Sequence, residues 1–301
     1  MSWTFRIFTP EEIALLLPSR PPDMNKGNRG RILVAGGSKN YPGASILTSL
    51  AALRSGGGVV SLLSLPEVCH ACAARVPEVV QLPFENSGPR NLPSAWLDVS
   101  MEQMPRTNAM IAGPGLGRSD EAIAFVTALW KKWDRPLLVD GDGLYALAEA
   151  GGSLAPRSDV VLTPHEGEAA RLLALTPEDV RGARPEAVER LSKRWGCVLL
   201  KGRGTLVAEM KNRIETSQYA QVSEGGPELS VPGSGDVLSG CIGTFLAQGL
   251  TPFHAALLGG TLHGLAGRRL RERRGVDGVL ASEIADELPF AIQALRKEVR
   301  P

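Results

Sequence analysis

The chain has 301 residues, 43% hydrophobic and 22% charged, and its 33 Lys+Arg nearly cancel 32 Asp+Glu to leave a formal charge of +1. This ordinary globular mix excludes a nucleic-acid or anionic-membrane surface as the main function, and aromatics at 5% disfavour a stacking platform for single strands. No stretch approaches the roughly 20 apolar residues of a membrane span. Glu11 and Glu12 interrupt the N-terminus before any signal-peptide core, and four cysteines make no disulfide scaffold, so a cytoplasmic protein is expected.

In chain order, the pattern predicts helix 10–17, strand 31–35, helix 44–55, strand 59–63 and helix 67–76, then strand 109–112, helix 120–133 and strands 136–139 and 160–162. Helices 166–174 and 185–195 follow, then strand 198–200, an antiparallel pair at 206–209 and 213–217, and helices 236–248, 252–273 and 282–299. The strands are near-continuously apolar, as strands buried on both faces are. The expectation is one α/β domain over 1–301: a mostly parallel sheet covered by helices, with antiparallel strands at one edge. Cys69 and Cys72 have the C-x-x-C spacing of redox and zinc sites, but Cys197 and Cys241 stand alone, so no second pair completes a zinc site. Three apart on a helix, the two thiols share a face and read as buried and idle, with a redox pair as the lesser alternative.

Ligands of open parallel sheets bind beyond the carboxyl ends of the strands. Nearly every Gly-rich or polar cluster here follows a strand: Gly36-Gly37-Ser38 with Tyr41-x-Gly43-Ala44, Gly113-Pro114-Gly115-Leu116-Gly117, Asp140-Gly141-Asp142-Gly143, and Thr163-Pro164-His165-Glu166-Gly167-Glu168. One rim therefore carries a shared site. The order of a P-loop is absent, as is the G-x-G-x-x-G of dinucleotide folds. The strongest candidate is Gly233-Ser234-Gly235-Asp236 at the start of a helix. Small residues leave N–H groups open to a phosphate at the positive end of the helix dipole. Asp236 either stabilises the helix start or accepts a proton from a substrate hydroxyl.

Taken in order, these motifs resemble the ADP/ATP-dependent NAD(P)H-hydrate dehydratases, the carbohydrate-kinase-like members of the ribokinase-like fold. The likeness includes Ala51–Gly56, Leu200-Lys201-Gly202-x-Gly204-Thr205 and Leu262-His263-Gly264, and runs from about residue 10 to about residue 270. It implies a three-layer α/β/α sandwich without a fused epimerase domain, and a homo-oligomer for which the apolar face of 252–265 serves as interface or as core. It further implies hydrated NADH or NADPH as substrate, bordered by Ala44, Gly115 and His165, and an adenine nucleotide contacted by Lys201, Gly202, Arg203, Gly204, Thr205 and Gly235. The N–H groups of Gly233, Ser234 and Gly235 would receive the transferring phosphoryl, and Asp236 would stand between donor and acceptor hydroxyl. Mg²⁺ would offset phosphate charge, with ADP or ATP as donor. Asp140, Asp142 and Glu168 are its candidate ligands or else helix caps.

Some residues keep two readings. His165 contacts substrate or bonds neighbouring backbone, and Lys201 is a phosphate contact or an exposed lysine. His254 and His263 pack or cap. Glu166 stands where the resembled family usually has Pro, adding negative charge near an anionic substrate, and Gly225–Pro232 departs from the family pattern beside both substrates. A small-molecule kinase of the same fold, or a relative that binds nucleotide without turnover, are the alternatives.

Overall fold

The computed structural model describes residues 4–84, 92–210 and 217–298. Nine strands form one sheet in the order β3-β2-β1-β4-β5-β6-β7-β8-β9. They are β1 (Arg31–Ala35), β2 (Val59–Ser64), β3 (Val80–Pro83), β4 (Ala109–Ala112), β5 (Leu137–Val139), β6 (Val160–Leu162), β7 (Cys197–Leu200), β8 (Leu206–Glu209) and β9 (Gln218–Gln221). Pairing is parallel from β3 through β7 and antiparallel from β7 to β9. The expected mixed sheet is thus observed. The partner of β8 is Gln218–Gln221; most of the expected 213–217 strand lies outside the described residues.

The helices are α1 (Pro10–Ala14), α2 (Pro42–Arg54), α3 (Pro66–Arg75), α4 (Leu92–Gln103), α5 (Asp120–Lys132), α6 (Asp142–Ala150), α7 (Glu166–Leu173), α8 (Pro177–Gly182), α9 (Arg184–Trp195), α10 (Ser234–Ala247), α11 (Pro252–Arg274) and α12 (Ala281–Lys297). Alternation along β1 divides the core: Ile32 and Val34 face a cluster with α2, α3 and α10–α12, while Leu33 and Ala35 face one with α4–α7 and α9. The sheet is therefore sandwiched between two helical layers.

Strand order reverses between β1 and β4, because the chain moves outward to β2 and β3 before returning. The loops after β1 and β4 consequently diverge to opposite faces and open a crevice between them. The helix α10 lies along α2, where Thr244 Oγ1 donates to the carbonyl of Ala52 at 3.0 Å. That packing brings the start of α10 to the same rim as the start of α2.

Of the two readings of the 252–265 face, core is the one observed: Phe253, Ala255–Gly264 and Ala266 of α11 are all buried. The helices α4, α6 and α8 and strand β3 were not foreseen. Among the described residues, no helix is long and apolar enough to cross a membrane.

Candidate active site

The first turn of α10 begins after Gly233, whose φ of 87° lies in the left-handed region and turns the chain sharply into the helix. The N–H of Ser234 is already donated to Val231 O at 3.2 Å and that of Val237 to Gly233 O at 3.1 Å. The N–H groups of Gly235 and Asp236 lie between them, in the turn where a helix has no internal acceptors. Of the expected Gly233, Ser234 and Gly235 donors, the Ser234 N–H is thus already spent, while those of Gly235 and Asp236 lie in the open first turn. The Ser234 hydroxyl is also committed, since it lies 3.0 Å from Nε2 of buried His263. Burial pushes the His263 imidazole down to about 4. His263 is thus a buttress of this turn, a role its position inside an apolar helix did not signal.

Lys201, at the end of β7, reaches across the rim. Its ammonium lies 3.1 Å from Asp140 Oδ1 and 3.6 Å from Glu168 Oε2, and a Cβ at Gly235 would stand 3.3 Å from it. Burial alone would lower its pKa, but Asp140 and Glu168 outweigh that and hold it up to about 12. The lysine is a fixed cation beside the first turn of α10. Asp140 is buried and its other oxygen accepts from Ser239 Oγ of α10 at 2.7 Å, which ties β5, β7 and α10 together at one point.

Asp236 is different. Its carboxylate has no hydrogen-bond or ion-pair partner among the described residues. Burial, then the charges of Asp140, Asp142 and Glu168, raise it to about 7 against the opposing pull of Lys201. A carboxyl held near neutrality suits a general base.

On the same rim, Gly115 follows β4 with a φ of 62°, and a Cβ there would meet Tyr41 O at 2.6 Å and Ala44 Cβ at 2.8 Å. Ala44 and Gly115 are thus brought into contact across the crevice between β1 and β4. Asp142 is partnered by the Gly117 N–H and by Arg118 Nε, each at 2.9 Å, so it fastens that loop to α6. His165 caps α7: Nδ1 accepts from the N–H groups of Gly167 (3.0 Å) and Glu168 (3.3 Å), while Glu168 Oε2 accepts from the His165 N–H at 2.8 Å. A nitrogen that accepts twice carries no proton, so the neutral ring is protonated on Nε2, and its side chain is 60% exposed at the rim. The backbone role of His165 is therefore real, and it leaves Nε2–H as a donor. His254 lies in the first turn of α11, where its N–H donates to the capping Thr251 Oγ1 at 3.3 Å.

The hairpin between β7 and β8 carries Gly202–Thr205, with Arg203 exposed and Thr205 Oγ1 donating to Gly202 O at 3.0 Å. The charge expected from Glu166 is neutralised: its carboxylate accepts from Arg181 Nε at 3.0 Å and Arg184 Nη1 at 2.7 Å. In the divergent segment 225–232, Pro227–Leu229 forms a 3-10 turn anchored by fully buried Glu228, 3.5 Å from Arg271 Nη1. All four cysteines are buried and free; burial raises Cys69 to about 11, which leaves it a poor nucleophile.

A profile of the NAD(P)H-hydrate dehydratase family matches residues 32–290. The chain belongs to that family. It is 37% identical over 94% of its length to the bifunctional NAD(P)H-hydrate repair enzyme Nnr of Thermofilum pendens, and 32% identical over 93% to that of Escherichia coli. It spans about half the length of these curated relatives, 53% and 51% respectively. Among solved structures, it resembles the ADP/ATP-dependent NAD(P)H-hydrate dehydratase of Bacillus subtilis co-crystallized with ATP/Mg²⁺, with a TM-score of 0.81, 25% identity and coverage of 98% of this chain and all of that one. A ribokinase-like superfamily protein from Enterococcus faecalis superposes as well, with TM-score 0.81, 26% identity and coverage of 97% and 96%. The ribokinase-like fold expected of the family is the one observed.

Proposed function

We propose that this protein dehydrates hydrated NADH and NADPH at the expense of an adenine nucleotide. The observation that carries the reading is Asp236: an unpartnered carboxylate raised to about 7 in the first turn of α10, within the field of the Lys201 ammonium. The ring hydroxyl of the hydrate leaves poorly as hydroxide. Once phosphorylated it leaves as phosphate, pushed out by the ring nitrogen's electron pair to give an iminium, and loss of a proton from the adjoining ring carbon to water regenerates the reduced nicotinamide.

Asp236 takes the proton from the hydroxyl oxygen as that oxygen attacks the terminal phosphorus of the donor. The N–H groups of Gly235 and Asp236 and the Lys201 ammonium hold the oxygens of the phosphoryl in flight. Gly202–Thr205 hold the rest of the nucleotide, and Ala44, Gly115 and the His165 Nε2–H border the hydrate. Asp140 and Glu168 keep Lys201 charged and in place.

Among the described residues no three acidic, His or Cys side chains gather into a metal cage, and Asp140, Asp142 and Glu168 are already partnered. That donor set fits an Mg²⁺ that would be held chiefly by the nucleotide's phosphates rather than by a protein cage. When bound, the ion would neutralise phosphate charge. The relative crystallized with ATP/Mg²⁺ supports the nucleotide and the metal alike.

The test supplies purified protein with Mg²⁺, ADP or ATP and the hydrate. Return of reduced-nicotinamide absorbance with stoichiometric inorganic phosphate is expected. A stable phosphorylated product would instead make the protein a kinase, and nucleotide binding without turnover would make it a binding relative. The reading includes a cytoplasmic setting and a homo-oligomer. Leu15, Leu280 and Phe290, on or beside the packed pair α1 and α12 and each more than half exposed, are the apolar surface that such an assembly would cover, and light scattering of the purified protein measures it.

A further inference from the structure

Arg184 begins α9, yet its guanidinium lies under the β7–β8 hairpin, with a side chain only 14% exposed. Nη1 donates to Lys201 O at 3.2 Å and to Glu166 Oε1 at 2.7 Å; Nη2 donates to Leu200 O at 3.2 Å and Gly204 O at 3.3 Å. Three backbone carbonyls of one turn thus converge on a single planar fork. A Cβ at Gly202 would overlap Nη1, so the hairpin closes on the guanidinium only because residue 202 has no side chain.

This arrangement sets the direction of the opposite groups. In a trans peptide the N–H points away from the C=O. Holding the carbonyls of Lys201 and Gly204 on Arg184 turns the N–H groups of Gly202 and Thr205 to the other side of the turn. The fork itself is spent on carbonyls and on Glu166, and it is too buried to grip a ligand. Glu166 directly follows His165, so the same guanidinium joins the hairpin to the rim residue on the hydrate side.

We infer that Arg184 is a positioning residue for the adenine nucleotide: it holds the Lys201–Thr205 turn in the shape that presents its N–H groups to phosphates, and Glu166 locks it there. This inference rests on the reading of that hairpin as the nucleotide contact given above.

The experiment titrates ADP and ATP, each with Mg²⁺, into wild type, Arg184→Met, Arg184→Lys, Glu166→Gln and Lys201→Met by calorimetry, and measures KM for nucleotide and for hydrate. Losing hydrogen bonds from a charged donor predicts a nucleotide Kd roughly tenfold or more weaker in Arg184→Met. The KM for hydrate should stay within about twofold, since none of its proposed contacts is removed. Arg184→Lys should recover part of the affinity, because an ammonium replaces the charge and one or two of the bonds, and it covers the case in which the Met variant fails to fold. Glu166→Gln should have a smaller effect of the same sign. The inference is overturned if folded Arg184 variants bind nucleotide as wild type does, or if both KM values rise together, which would mark general loosening. If wild type binds no adenine nucleotide, or Lys201→Met leaves its affinity unchanged, the reading beneath the inference falls as well.

Discussion

The Lys201 ammonium is anchored by Asp140, Nζ to Oδ1 at 3.1 Å, and Asp140 is in turn fixed to α10 through Ser239. The cation is therefore built into the rim beside Gly235. Removing it has two consequences of different kind.

Lys201→Met takes a positive charge from the transferring phosphoryl, and kcat should fall by two or more orders of magnitude, about what one preorganised charged donor contributes. It also removes the one influence that lowers the Asp236 pKa, so the acidic limb of the kcat/KM profile should move above its wild-type position near pH 7. A pH–rate series on both proteins checks this. An unshifted limb would mean that the ammonium and the carboxylate do not sense one another.

Asp236→Asn keeps the size of the side chain and removes its basicity. Turnover should drop by about 10²–10⁴, the range of general base catalysis, while calorimetric nucleotide affinity stays close to wild type. In wild type the base must be ionised, so activity should rise with pH and reach half its plateau near 7, the value to which burial and the neighbouring carboxylates raise Asp236. Retained turnover in the Asn variant would remove Asp236 from the proton transfer.

Much of this site was legible because β1, β4 and β5 announce themselves as apolar runs followed by Gly or Asp, and β6 as one followed by Thr163-Pro164. Strand β3 was missed because Val80 and Pro83 are exposed at the sheet edge and its middle residues only half-buried, which erases the two-sided apolar signal. Helix α6 was hidden because Asp140-Gly141-Asp142-Gly143 reads as a turn, yet Gly141 merely precedes a helix that starts at Asp142. The links that set the chemistry were beyond sequence spacing. Lys201 with Asp140, Ser234 with His263, and Arg184 with Glu166 are pairs joined only when β5, β7, α7, α9, α10 and α11 meet at the rim.

Gly115→Ala tests the hydrate side independently. At a φ of 62° an L side chain costs about 1–2 kcal/mol, and its methyl would press on Tyr41 O and Ala44 Cβ. The loop after β4 must shift, so the KM for hydrate should rise about tenfold or more by the strain alone. The KM for nucleotide should hold, because the β7–β8 hairpin is untouched. Equal effects on both would place Gly115 outside the hydrate pocket.

Asp236 and His263 titrate with opposite consequences for stability. The folded Asp236 carboxyl is raised from 3.8 to about 7, so the folded state binds its proton more tightly. Its contribution is fully present below about 3.8 and is lost as pH rises through 7. Burial lowers folded His263 from 6.5 to about 4, so the unfolded state binds that proton more tightly. Its contribution is intact above 6.5 and is lost as pH falls toward 4. Between pH 6.5 and 4 the two oppose each other. Asp236→Asn should therefore lose unfolding free energy more steeply than wild type on acidification through that window. His263→Asn, which retains a hydrogen-bonding group for Ser234, should lose it less steeply. Urea midpoints across the window measure both slopes, and parallel slopes for all three proteins would show that neither group is desolvated as the packing of α10 against α11 requires.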